Sequence, residues 1–232
     1  MKLKLQFNLI LAIVSLNYRQ AIAATDDDTA KEGRVRDEAQ RAVSIATWLP
    51  PREVTKKYPY YLSGYDSDSR PIYIVEMGRW DVRSAVEKGG KDLENLSLHF
   101  QQLYYRIGQG GRFSASEEDF DAPNSVVIVD WGDYSLQQLA SSRTVQALIQ
   151  NMADFKTIED SVSYGYFINV NDAAETLISF ARPRMGKFMD RIETFGTRRN
   201  EWIPKLLEKI PRSQLPPWYG GNPDFRSVAI YG

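Results

Sequence analysis

The chemistry open to this chain is bounded first by what it lacks. It contains no cysteine and one histidine, His99, which excludes thiolate nucleophiles, disulfides, cysteine zinc sites and multi-histidine metal centres. The carboxylates worth weighing are Asp130, at the end of the apolar run Val126-Val127-Ile128-Val129, and Asp160, shortly before Tyr164-Gly165-Tyr166-Phe167-Ile168-Asn169. A carboxylate working as base or nucleophile needs a partner that moves a proton or holds the reactant. No histidine, lysine or serine motif accompanies either one, and no Gly-x-Ser-x-Gly elbow is present. Gly89-Gly90 and Gly108-Gln109-Gly110-Gly111 fit neither a dinucleotide fingerprint nor a phosphate loop. Asp130 therefore reads as structural, and no catalytic residue, metal ligand or cofactor is assigned.

Two other patterns carry more information. From 172 to 186 the residues Ala173, Ala174, Leu177, Ile178, Ala181 and Met185 recur at helical spacing, with Glu175, Ser179, Arg182 and Arg184 between them. Asp172 is placed to cap that helix. A wide face of small and large apolar residues suits either ordinary core packing or one wall of an apolar cavity. Arg182, Arg184, Lys187, Arg191, Arg198, Arg199 and Lys205 then follow in a chain whose net charge is only −1. Such a cluster is either a solvated face or a docking surface for anionic lipid, at about 1 kcal/mol per basic residue near the membrane. The near-neutral balance argues against a nucleic-acid partner.

The elements that must position these residues can be read from periodicity. The 232 residues, 43% hydrophobic and 25% charged, suit one globular domain with a small appendage. Lys2 and Lys4, the apolar run Leu9 to Leu16, and Ala21-Ile22-Ala23 form a signal-peptide pattern over residues 1–23. Its apolar run is well short of the roughly 20 residues that span a bilayer. The pattern implies secretion; a helix of the folded domain is the alternative. Residues 24–33 are acidic and expected to be disordered. A helix is predicted over 34–48, ended by Pro50-Pro51, and Tyr65 to Arg70 reads as a turn. Strands are expected at 71–75, 126–129, 164–169 and 191–195. Helices are expected at 81–107, 135–155, 172–186 and 199–209. Strands alternating with helices predict an α/β fold with a mostly parallel sheet, and the unbroken apolar run at 126–129 suits a strand buried on both faces.

The order of these pieces resembles the CRAL-TRIO lipid-binding family, which includes tocopherol, retinaldehyde and phosphatidylinositol transfer proteins. The resemblance is carried by Gly64-Tyr65-Asp66 with Arg70-Pro71, by the strand and turn from Val126 to Gly132, by Ile168-Asn169, by Arg182-Pro183, and by Leu215-Pro216-Pro217-Trp218-Tyr219-Gly220-Gly221. It implies a lipid-binding domain over residues 58–221, a remnant of a helical region over 34–57, and a tail over 222–232. It implies no covalent chemistry. A hydrophobic small molecule or phospholipid would lie between a sheet floor and a gate helix at 172–186.

On that reading the floor comes from Val127, Val129, Trp131, Tyr166 and Ile168, although strand alternation leaves open which face each occupies. The gate comes from Ala174, Leu177, Ile178, Ala181 and Met185. Asp160 and Arg191 fall near the family's headgroup-contacting positions, and Arg182, Arg184 and Lys187 would touch an anionic membrane surface transiently. A monomeric carrier is expected. Two alternatives stay open: a protein-interaction module with a collapsed cavity, and a hydrolase using Asp130 or Asp160.

Overall fold

The computed structural model describes residues 28–110 and 124–231. The signal-peptide pattern, the start of the acidic segment and the loop expected after Phe113 lie outside the described residues. Residues up to Leu49 form a unit of their own. It contains helix α1, Asp28–Thr47, which begins inside the segment expected to be disordered.

The unit from Pro50 onward carries helices α2 (Arg52–Lys57), α3 (Val82–Lys88), α4 (Gly90–Gln109), α5 (Ser142–Ala153), α6 (Asp172–Ala181) and α7 (Arg199–Lys209). Its strands are β1 (Tyr60–Tyr65), β2 (Pro71–Val75), β3 (Ser125–Asp130), β4 (Val162–Ile168), β5 (Ile192–Thr194) and β6 (Ala229–Ile230). They form one six-stranded sheet in the order β5-β4-β3-β2-β1-β6. The pairs from β2 to β5 are parallel, while β1 pairs antiparallel with both β2 and β6. The α/β fold with a mostly parallel sheet is therefore the one that the alternation of elements predicts.

Several boundaries differ from the periodic reading. The span 81–107 is two helices, because Gly89 takes φ 67° and breaks the run. The span 135–155 is divided into a 3-10 turn at Leu136–Leu139, then α5, then a 3-10 segment from Asp154 to Ser161. Helix α6 stops at Ala181, and Arg182–Arg184 continues as a 3-10 turn with Pro183 inside it. The tyrosine-rich segment is a strand: β1 carries side chains too large and aromatic for a simple alternating pattern to stand out. The tail supplies β6, held by Val228 N–H donating to Leu62 O at 2.9 Å and Tyr231 N–H to Tyr60 O at 3.1 Å. The Arg106 guanidinium lies 3.8 Å from the Tyr231 ring centroid and donates to the Tyr60 hydroxyl.

The hairpin between β1 and β2 is tied to the sheet through one carboxylate. Asp66 accepts from the Arg70 amide at 2.8 Å, from the Arg70 guanidinium at 3.1 Å and from the Tyr164 hydroxyl on β4 at 2.8 Å. One face of the sheet, with Ile72, Ile74, Val126, Ile128, Tyr166 and Ile168, packs against Trp202 and Leu206 of α7 and against Leu215 and Tyr219. On the other face Val75, Val129 and Phe167 meet Phe100 and Leu103 of α4, Leu148 and Met152 of α5, and Phe155.

His99 of α4 is fully buried among the rings of Tyr60, Trp80 and Tyr58, with centroids at 4.9, 5.5 and 6.2 Å. Its Nε2 lies 2.8 Å from Tyr58 O, which requires the proton on that nitrogen. Burial lowers its pKa to about 4; the Arg106 charge adds to the lowering and the hydrogen bond to Tyr58 O opposes it. A depressed value means that the unfolded chain takes up this proton first as pH falls. The neutral imidazole's contribution is whole above about pH 6.5 and is lost as pH falls from there to about 4, amounting to about 3 kcal/mol. Urea denaturation across that window should show a His99→Gln variant losing stability less steeply with falling pH than the unmodified chain.

Candidate functional site

The carboxyl ends of β3 and β4 are fixed by Asp130. Its Oδ1 accepts from the Gly132 amide at 2.8 Å and from Asn169 Nδ2 at 2.8 Å, and its Oδ2 accepts from the Tyr219 hydroxyl at 2.6 Å. All these partners are donors within the protein, so the carboxylate is engaged in holding the fold. The Leu215 to Gly221 segment is what delivers Tyr219. Leu215 and Tyr219 are buried, and Gly220 takes φ 85°. A Cβ on Gly221 would stand 1.6 Å from Leu215 O, so the second glycine is required by the closeness of two backbones. Burial, with the Asp130 charge beside it, raises the Tyr219 hydroxyl pKa far above its ordinary value, so this group stays a donor.

Beyond the strand ends, Asn169 adopts φ 56° and the chain turns into α6. The cap is Asn171, whose side chain accepts from the Ala174 amide at 3.0 Å and donates to Tyr134 O at 2.9 Å. Asp172, expected as the cap, is instead the first helical residue. An Asn one position earlier caps equally well and also reaches across to the turn after β3, which Asp172 does not. Ala173, Ala174, Leu177, Ile178, Ala181 and Met185 are buried, while Phe180 is 59% exposed. Arg182, Arg184 and Lys187 are exposed. Helix α6 packs against α5.

Between the sheet and α4 and α5 there is an apolar void of about 20 Å³, room for about one water. Val75, Met77, Val129, Trp131 and Phe167 bound it from the sheet side, and Phe100, Leu103, Tyr104, Leu148, Met152 and Phe155 from the helices. Of the residues expected to line a cavity, Val129 and Trp131 do so. The gate residues of α6 are buried nearby but do not line it.

Tyr166 and Ile168 lie on the opposite face, in the cluster with Trp202, Leu206 and Tyr219, and do not border this void. Alternation supplies two possible faces, and only the packing of α7 selects between them. The other lining residues, Phe100, Leu103, Leu148, Met152 and Phe155, fall within the spans 81–107 and 135–155 expected only as helices. A stripe that lines a void and one that fills a core have the same periodicity.

Asp160 and Arg191 do come together, with their charged groups 3.4 Å apart. The Asp160 side chain is 93% exposed, so this pair adds little stability. Arg191 Nη1 also donates to Val162 O at 2.6 Å and to Glu159 O. The backbone of Lys187 is held by Glu159, whose Oε2 accepts its amide at 2.8 Å.

The CRAL/TRIO domain model matches residues 55–221 of this sequence. This chain belongs to the CRAL/TRIO family. It is 25% identical over 177 residues to the phosphatidylinositol/phosphatidylcholine transfer protein SFH7 of Arabidopsis thaliana, covering 73% of this chain and 30% of that protein. It is also 25% identical over 175 residues to SFH4 of the same plant, likewise a phosphatidylinositol/phosphatidylcholine transfer protein, covering 73% of this chain and 28% of that one. The chain thus spans less than a third of these relatives. The crystal structure of Sfh5 superposes with a TM-score of 0.54 over 84% of this chain and 67% of that one, at 10% identity. That match shares the fold alone. The CRAL/TRIO model ends at Gly221, so strand β6 lies outside the matched region.

Within this CRAL/TRIO domain the Asp130 hydrogen bonds should be measurable as stability. A Tyr219→Phe variant removes one hydrogen bond to a carboxylate and should cost about 2 kcal/mol. Asp130→Ala strands three donors and should cost more. Chemical denaturation of both variants checks the order, and equal losses would contradict it.

Proposed function

We propose that this CRAL/TRIO chain binds a phospholipid or another hydrophobic ligand and carries it between membranes without covalent chemistry. The observation that carries this reading is the second face of the sheet. It presents an apolar floor at Val75, Val129 and Phe167, roofed by helices, with a void already between them. The strand-end carboxylate that could suggest catalysis is instead engaged by Gly132, Asn169 and Tyr219. The names of the Arabidopsis relatives favour phosphatidylinositol or phosphatidylcholine as the ligand class.

A void of about 20 Å³ is far below the ~300–1,000 Å³ of ordinary ligand pockets, so this conformation is closed and loading requires the roof to move. Burying acyl chain in its place gains ~0.8 kcal/mol per methylene. The small void also supports a second reading, a protein-interaction module whose cavity stays filled. Arg182, Arg184 and Lys187, exposed at the end of α6, suit transient contact with an anionic membrane, and Asp160 with Arg191 suits a headgroup contact at the domain surface. Among the described residues no helix is long and apolar enough to cross a membrane. The signal-peptide pattern at residues 1–23 supports entry into the secretory pathway, which N-terminal sequencing of protein from a eukaryotic secretory host would test.

Native mass spectrometry of that protein, followed by lipid extraction, should find one phospholipid per chain. A Leu177→Trp variant, which adds bulk on the buried face of α6, should abolish loading. Protein that stays empty after incubation with phosphatidylcholine/phosphatidylinositol vesicles would favour the interaction module. Replacing Arg182, Arg184 and Lys187 together by glutamate should cut co-sedimentation with phosphatidylserine-containing vesicles by about two orders of magnitude while leaving the melting temperature unchanged. Unchanged co-sedimentation would remove these residues from the docking surface.

A further inference from the structure

Three buried polar groups near the apolar void have no hydrogen-bond partner: Trp131 Nε1, the Tyr134 hydroxyl and the Thr144 hydroxyl. Their residues are 1%, 3% and 0% exposed, and a buried donor left unmatched is costly. Trp131 itself borders the void, and the Tyr134 ring meets it edge-on with centroids 5.3 Å apart. Thr144 stands on α5 one helical turn before Leu148, which also borders the void. Trp202, in the core under α7, carries an unmatched indole N–H too, so one such group is no site by itself. What sets Trp131 apart is the void beside it and the two unmatched hydroxyls on neighbouring elements.

The backbones that present these groups are already fastened. The Trp131 amide donates to Ile168 O and the Tyr134 amide to Trp131 O, both at 3.0 Å. Tyr134 O accepts from Asn171 Nδ2 at 2.9 Å, and the Thr144 amide donates to the Ser141 side chain at 3.3 Å. Donors on the other polar side chains bordering the void are engaged. The Tyr104 hydroxyl donates to Asn151 O at 2.7 Å, and Asn151 Nδ2 donates to Ala147 O at 2.8 Å. Among the described residues no charged side chain borders the void. A phosphate oxygen would be buried there without a counter-charge, whereas a neutral carbonyl would meet donors that are fixed in place and unmatched.

We propose that Trp131, together with Tyr134 and Thr144, recognises the ester carbonyls of a diacyl lipid, so that the cavity selects ester-linked chains over ether-linked ones. This inference rests on the lipid-carrier reading and deepens it by naming the ligand's linkage. A diacyl glycerol backbone carries two neutral acceptors between its apolar chains and its headgroup. With a chain in the void, one of them comes to rest against Trp131. An ether oxygen accepts far more weakly and leaves the three groups as unmatched as they are in the empty protein.

The test loads the full chain from vesicles holding equal amounts of diacyl and dialkyl phosphatidylcholine of the same chain length, then extracts and weighs the bound lipid by mass spectrometry. The diacyl form should be enriched about tenfold in the bound fraction. Tyr134→Phe and Thr144→Val each remove a hydroxyl with little change of shape, and each should lower that ratio several-fold. Because neither hydroxyl has a partner in the empty protein, both variants should melt no lower than the unmodified chain. A lower melting temperature would show the hydroxyls engaged within the fold, against the proposal. Trp131→Phe should bring the ratio close to one; where its smaller ring weakens the fold, the two hydroxyl variants decide. Equal capture of both lipids by the unmodified chain, or a ratio that the variants leave unchanged, would overturn ester recognition and leave the carrier reading standing. If neither lipid is captured, the carrier reading fails and ester recognition fails with it.

Discussion

Most of this architecture converges on the carboxylate of Asp130. It binds the turn that follows its own strand through Gly132, the end of the neighbouring strand through Asn169, and the C-terminal loop through Tyr219. These three pieces are distant in sequence, and each approaches a buried strand end where unpaired polar groups are costly. One acceptor with several lone-pair sites satisfies all of them. The glycines of the C-terminal loop serve the same end, since only backbone packed this tightly can bring the Tyr219 hydroxyl to it.

Once the strand ends are fixed, the two faces of the sheet have different fates. The face under α7 is a finished core in which Trp202, Leu206, Leu215 and Tyr219 interlock with isoleucine, valine and tyrosine from the strands. The other face is covered by α4 and α5 and, beside them, by 3-10 segments and by α6 with its irregular continuation. Short elements with few internal hydrogen bonds form the part of a domain that opens at least cost. The irregular pieces thus lie on the same side of the sheet as the void.

The sequence disclosed this arrangement unevenly. The continuous apolar run at 126–129 and the helical spacing over 172–186 gave the parallel sheet and its helices, because burial on both faces and helical spacing leave distinct periodicities. The ordered motifs from Gly64 to Gly221 gave the family. Periodicity was silent on which face of β4 meets which helix, and only the packing of α7 places Tyr166 and Ile168 in its layer. It was silent too on Phe188, which stands among Lys187, Met189 and Asp190 with no pattern to mark it as buried. Side chains that turn inward from irregular segments leave no repeat to read; the pairing of Asp160 with Arg191 was reachable only through the family's own motifs.

The sheet's outer edge has a bearing on how the chain is made. Strand β1 is among the first parts of the domain to be synthesised, yet β6, which covers its free side, lies beyond the last family motif. Until Ala229 and Ile230 have been made, a tyrosine-rich strand carries unpaired backbone groups on that side. Such an edge is a template for pairing with another chain. The two residues of β6, with Tyr231 held under Arg106, act as a seal on that edge, and products cut short before Ala229 would carry an open, adhesive margin.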